Sequence, residues 1–148
     1  MLTKLLAAFF LMAACVVLHA AGLTVAMRWL KRSLATLGDE SWRRIRLLIE
    51  VAGLTVLVHL VEITVWAAYL AGSGAMPDID SALYFSAVTY TTTGYGDLVL
   101  PEGWRLVGGI EALTGILMCG WSTGFFFAVV SQILSRDAKT TGPSPARD

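Results

Sequence analysis

Residues 91–97 read Thr91-Thr92-Thr93-Gly94-Tyr95-Gly96-Asp97, TTTGYGD, and they lie between two long apolar runs. Three threonines, two glycines and an acid are not what a simple connecting turn requires. Adjacent residues of a regular strand point their carbonyls to opposite sides. Turning several successive carbonyls toward one axis needs alternating backbone angles, which glycine adopts without steric cost. A row of such oxygens can replace the hydration shell of a bare cation. Gly94 and Gly96 supply that freedom, Thr92 can add a hydroxyl oxygen at the inner end, and Tyr95 is expected to pack its ring outward as a strut.

The composition says what surrounds this segment. The chain has 148 residues, 56% of them hydrophobic and 15% charged, with a mean hydropathy of +0.68. A soluble domain of this size is less apolar, so a membrane protein is implied. The formal net charge is zero, which gives no bulk attraction to nucleic acid, and none is expected as a partner. Cys15 and Cys119 both fall inside apolar runs. Thiols so placed behave as small hydrophobes, and no disulfide or metal site is expected from them.

Three stretches are long enough to cross a bilayer: about 5–27, 47–70 and 106–134. Trp66 and Tyr69 near the end of the second, and Trp104 before the third, read as interface anchors. Arg28, Lys31, Arg32, Arg43, Arg44 and Arg46 crowd the connection between the first two spans, whereas residues 71–105 hold Arg105 alone. The excess of positive charge places 28–46 in the cytoplasm and 71–105 outside. Gly38, Asp39 and Ser41 read as one helix stopping and another being capped. Within the outer connection, IDSALYFSAVTYT is apolar but too short to span, with Asp80 or Ser81 able to cap it. A short apolar helix followed by glycine-rich backbone reads as a re-entrant loop, tolerated at membrane depth only when buried in protein or lining a water-filled path. That helix is expected to end at about Thr91, its negative end toward the ion path.

TTTGYGD closely resembles the signature of tetrameric potassium channels, whose core is a TVGYG-type loop. The resemblance covers about residues 46–134 and implies an outer helix, a pore helix, a selectivity filter and an inner helix. Thr92, Thr93, Gly94, Tyr95 and Gly96 match the filter, and Asp97 matches the acid just beyond it. The resemblance implies potassium held by the backbone carbonyls of Thr92, Thr93, Gly94 and Tyr95. Thr93 stands where many members carry a branched apolar residue, a mild departure because the carbonyl is the ligand. Tyr84 falls where members often have a tryptophan bonded to the acid, so a Tyr84–Asp97 hydrogen bond is expected. Val88 stands where some members keep a glutamate behind the filter. Gly115 falls at the family's hinge, and Cys119, Thr123 and Phe127 follow it every four residues as one stripe. By resemblance the stripe lines the cavity, and four Phe127 rings at a narrow crossing would form a hydrophobic gate.

The first span carries a lysine, an apolar stretch and small residues near Ala20 and Ala21, the outline of a signal peptide. Cleavage would strand Arg28, Lys31 and Arg32 outside, so a retained span with its N-terminus outside is expected, packing through Ala14, Ala21 and Gly22. The arginines at 43, 44 and 46 lack the every-third spacing of a voltage sensor. His59 and Glu62 lie three apart on one face of the second span, at a depth similar to Glu111 in the third. These three are expected to form a structural or proton-sensing network, with each other or with Ser86 and Thr89. Glu50 and His19 are assigned to interface or packing roles, and Gly120-Trp121-Ser122-Thr123-Gly124 to close packing.

The expectation is an all-α membrane protein of three transmembrane helices plus a re-entrant pore helix. Residues 1–45 form an N-terminal span and basic linker, 46–135 a pore domain, and 136–148 a short disordered tail. One filter per chain implies a homotetramer in the lipid bilayer that passes potassium ions passively, without enzymatic activity or cofactor. A non-conducting regulatory membrane subunit and a weakly selective cation channel are the alternatives. The expected location is the cell membrane, a bacterial inner membrane, with the C-terminus cytoplasmic.

Overall fold

The computed structural model describes residues 1–35 and 41–140, with side chains placed at 1–33 and 42–135. Four α-helices run in chain order: α1 Leu2–Ala35, α2 Ser41–Gly72, α3 Ile79–Tyr90 and α4 Arg105–Thr140. A 3-10 turn, Glu102–Trp104, leads into α4. Among the described residues there is no strand, and α1, α2 and α4 are each long and apolar enough to cross a membrane. The chain is an all-α membrane protein with three such helices and one short helix between the second and third.

The helices outrun the apolar stretches that predict them. α1 continues past 27 to Ala35, so Arg28, Lys31 and Arg32 ride on a helix rather than a linker. Nothing in RWLKRSLA opposes helix, because Arg, Lys, Leu and Ala all favour it. The capping expected of Gly38 and Asp39 lies outside the described residues. At the other end α4 runs to Thr140, past the 135 boundary expected for the pore domain. Polar side chains end the membrane span without ending the helix. The expectation of disorder over 141–148 lies outside the described residues.

α3 is capped two residues earlier than expected. Its cap is Asp78, not Asp80 or Ser81: Asp78 has extended backbone and its carboxylate accepts from the Ser81 backbone N–H at 2.7 Å. Asp80 instead occupies the first turn, where its charge meets the positive end of the helix. The Ser81 bond is the main reason the Asp78 carboxyl is held below its usual range. Gly74, at φ +72°, takes the left-handed conformation that the turn after α2 needs.

Two apolar clusters hold the bundle. One, at the α3 end, gathers Ala8, Cys15, Trp66, Leu70, Phe85, Val107 and Met118. The other, toward the basic end, gathers Leu23, Leu30, Val51, Phe125 and Val129. Trp66 is fully buried in the first cluster, so it packs the bundle and does not anchor at an interface. Tyr69 does meet Trp104, ring centroids 6.1 Å apart. Lys4 stands over the Trp104 ring at 3.9 Å and donates to the Gly103 carbonyl at 3.4 Å. The start of α1 therefore lies at the same end of the bundle as the connection carrying α3. Gly22 lets α1 press on α2, since a Cβ there would lie 2.5 Å from a Val58 methyl. Ala21, assigned to the same small face, is exposed.

Candidate functional site

The last turn of α3 hands the chain to the TTTGYG segment through a run of backbone bonds. The Val88 carbonyl accepts from both Thr93 N–H (2.9 Å) and Gly94 N–H (3.2 Å), and the Thr89 carbonyl from Thr92 N–H at 2.9 Å. Thr91 donates its hydroxyl to the Ala87 carbonyl and pairs with the Thr93 hydroxyl at 2.9 Å. The helix ends at Tyr90 with Thr91 as its C-cap. Beyond it the backbone alternates in hand. Thr92 (φ 59°), Gly94 (φ 56°) and Gly96 (φ 77°) are left-handed, while Thr93 and Tyr95 between them are not. Alternation of this kind turns successive carbonyls to one side. At Thr92, a β-branched residue, it costs on the order of 1–3 kcal/mol that the surrounding bonds must sustain.

Behind the segment, Tyr84 donates its phenol to Asp97 Oδ2 at 2.6 Å, and Asp97 Oδ1 accepts from the Leu98 N–H at 3.0 Å. The Tyr84 bond is the chief reason the Asp97 carboxyl lies below its ordinary range. The same bond raises the Tyr84 phenol.

A second set of polar groups lies between the two apolar clusters. Glu62, fully buried, takes His19 Nδ1 on Oε1 at 3.1 Å and the Tyr90 hydroxyl on Oε2. His59 Nδ1 is 3.2 Å from that hydroxyl and 3.4 Å from Glu62 Oε2. Ser122 Oγ lies 3.0 Å from both His19 Nε2 and His59 Nε2. His19, His59 and Glu62 are close enough to surround a cation. Every one of their polar atoms already has a protein partner, and the cluster is accordingly a hydrogen-bond network.

This arrangement corrects two sequence expectations. His19 is not a packing or interface residue but a member of the network. Ser122 belongs to it too, rather than to a close-packing face. Glu111 stands apart from His59 and Glu62; it is buried facing Ser86, the other partner expected for it, without a well-formed hydrogen bond. A carboxyl in an apolar interior is costly to leave without a partner. Glu50 stays at the surface, bonded to Arg46 at 2.8 Å.

Residues 54–132, more than half of the chain, match the family model described as ion channel. The chain belongs to this ion channel family. No curated protein and no solved structure gives a significant match. The matched region holds α3, the TTTGYG segment and most of α2 and α4, and leaves α1 outside.

In this ion channel chain, α4 divides the predicted stripe. Gly115 is buried against the end of α3, where a Cβ would meet the Tyr90 carbonyl at 1.8 Å. Its lack of a side chain is thus a packing requirement. Cys119, Thr123 and Phe127 are exposed, Phe127 at 73%. Phe125 is buried in the second cluster and Phe126 packs against it. Three consecutive aromatics cannot share a direction on a helix, and Phe127 is the one turned away from this chain's core.

Proposed function

We propose that the chain is one subunit of a homotetrameric, potassium-selective channel that conducts passively. Potassium is held by the backbone carbonyls of Thr92, Thr93, Gly94 and Tyr95, with Gly96 and Asp97 completing the outer end. The alternating hand at Thr92, Gly94 and Gly96 carries this reading. It is the backbone condition for a row of same-facing oxygens, met here even at a threonine.

A single chain offers oxygens from one side of an ion only. Residues 91–99 are all exposed in it, Tyr95 at 72% and Val99 at 65%. Four copies around an axis would surround the ion and cover these side chains. The contact of Lys4 with Gly103 and Trp104 supports an N-terminus on the filter side. Together with the basic ends of α1 and α2, that favours the filter outside and residues 28–46 in the cytoplasm. The ion channel family points to transport and not to enzymatic turnover.

Purified protein in liposomes, with potassium inside opposed by sodium outside, tests the reading. The reversal potential is expected near the potassium equilibrium value, with no selective flux in Gly96→Ala. A reversal near zero would leave a weakly selective channel. Well-assembled oligomers without flux would leave a regulatory subunit.

A further inference from the structure

The network between the apolar clusters closes on itself. Its links run Glu62 Oε1 to His19 Nδ1, His19 Nε2 to Ser122, Ser122 to His59 Nε2, His59 Nδ1 to Tyr90, and Tyr90 back to Glu62 Oε2. Five links join five residues, and each link needs its own hydrogen. Serine and tyrosine bring one each, a neutral imidazole brings one each, and an ionised carboxylate brings none. The total is four hydrogens for five links. Left so, one buried acceptor would face another acceptor, the kind of unpaired contact that interiors avoid.

We propose that these five residues form a proton-binding ring, which holds one exchangeable proton beyond ionised Glu62 and two neutral histidines and thereby ties α1 to the foot of α3. The ring is then electrically neutral. The extra proton has three resting places that complete every link. On His59, both ring nitrogens donate, to Tyr90 and Ser122, and Ser122 donates to His19. On His19 they donate to Glu62 and Ser122, and Ser122 donates to His59. On Glu62 Oε1 the carboxylic acid donates to His19 Nδ1. In each case Tyr90 donates to Glu62 and all links are made. Passing from one histidine to the other needs only that Ser122 take a proton from one Nε2 and give its own to the other.

The surroundings suit an exchangeable proton. Cys15 of α1 and Cys119 of α4 are the other titratable groups within electrostatic reach of Glu62, and Glu111 of α4 reaches Cys15. His59 and Ser122 also line an open recess between α2 and α4, with Cys119 and Thr123. Tyr90 stands two residues before Thr92.

The chain has two histidines, which makes the test direct. Full-length protein labelled with 15N-histidine and 13C-glutamate is titrated in bilayers by solid-state NMR, with Glu62 assigned by difference from Glu62→Gln. Two proton placements agree with the ring at the pH where the native chain is folded. Either one imidazolium is shared by the two rings opposite ionised Glu62, or both rings are neutral opposite protonated Glu62. Raising the pH should remove that proton at a single midpoint reported by both histidines. In Glu62→Gln the amide supplies the fifth hydrogen, so the rings should be neutral, with fixed tautomers and no titration. Ser122→Ala should split the common midpoint into two, and Ser122→Thr should restore it. Two neutral rings beside ionised Glu62 in the native chain would overturn the proposal. So would separate midpoints in the native chain, or protein purified with a zinc ion on both rings. None of these readouts requires the channel to conduct, so failure here is distinct from failure of the potassium reading.

Discussion

Tyr84 and Asp97 are joined by a 2.6 Å hydrogen bond from the end of the proposed filter back to the middle of α3. The bond favours the ionised carboxylate, and it is the leading cause of the lowered Asp97 pKa. A depressed carboxyl contributes stability that is present above its unfolded pKa and is lost as pH falls through the folded pKa. Tyr84→Phe should therefore raise the Asp97 midpoint, read by 13C NMR of the carboxyl. Any acid-induced loss of conduction should begin at a higher pH in the variant. An unchanged midpoint would mean that Leu98 N–H suffices.

Gly115→Ala should prevent correct assembly. The added methyl meets the Tyr90 carbonyl, a backbone atom that cannot swing aside. The cost should reach or exceed the roughly 3 kcal/mol at the upper end of ordinary overpacking. Gly53→Ala is the control, with nothing within 4 Å of the new Cβ. It should be neutral, or more stable by up to about 1 kcal/mol through helix propensity. Oligomer yield and thermal unfolding in detergent compare the two.

The two thiols should differ in reactivity. Cys15 is buried and Cys119 exposed. A small thiol reagent should label Cys119 and slow potassium flux, and Cys119→Ser should abolish both effects. Labelling of Cys15 in native protein would contradict its place in the first apolar cluster.

Phe127 is the exposed member of the Phe125–Phe126–Phe127 run. If four such rings close the path, Phe127→Ala should raise resting flux, while Phe125→Ala should lower stability by about 3–5 kcal/mol at a buried site. Unchanged resting flux in well-assembled Phe127→Ala protein would place the gate elsewhere.

The Lys4 contacts with Gly103 and Trp104 put the start of α1 at the α3 end of the bundle. A Lys4→Cys, Gly103→Cys pair should form a cross-link in the Cys15→Ser, Cys119→Ser background. Reporters at the N-terminus and at residue 38 should fall on opposite sides of the membrane.

The spans, the short helix and the TTTGYG segment were legible because each is a local pattern. Apolar length marks a span, and glycines spaced by one mark the alternating backbone. What escaped depends on which way a side chain turns. Trp66 has the composition of an interface anchor but faces the bundle. His19 looked like an isolated polar residue on an apolar helix, because its partners lie 43 and 103 positions away. Ser122 was hidden among small residues that suit close packing. Glu111, at a depth matching Glu62, suggested a pairing that rotation about the α4 axis denies. A hint was available: His19, His59 and Glu62 are titratable groups in spans that hold few others, and such groups in hydrocarbon seek one another.

Helices that meet only through aliphatic side chains in lipid have little to fix their height relative to one another, because one turn of leucines packs much like the next. The layer of polar groups between the two apolar clusters removes that freedom. Sliding α1 by one turn, about 5.4 Å, would carry His19 away from both Glu62 and Ser122 and leave His19 Nδ1, His19 Nε2 and Glu62 Oε1 unmatched. The ring thus acts as a register lock on an otherwise slippery bundle. Because one of its five members is the last residue of α3, the same lock fixes the height of the TTTGYG segment in the membrane.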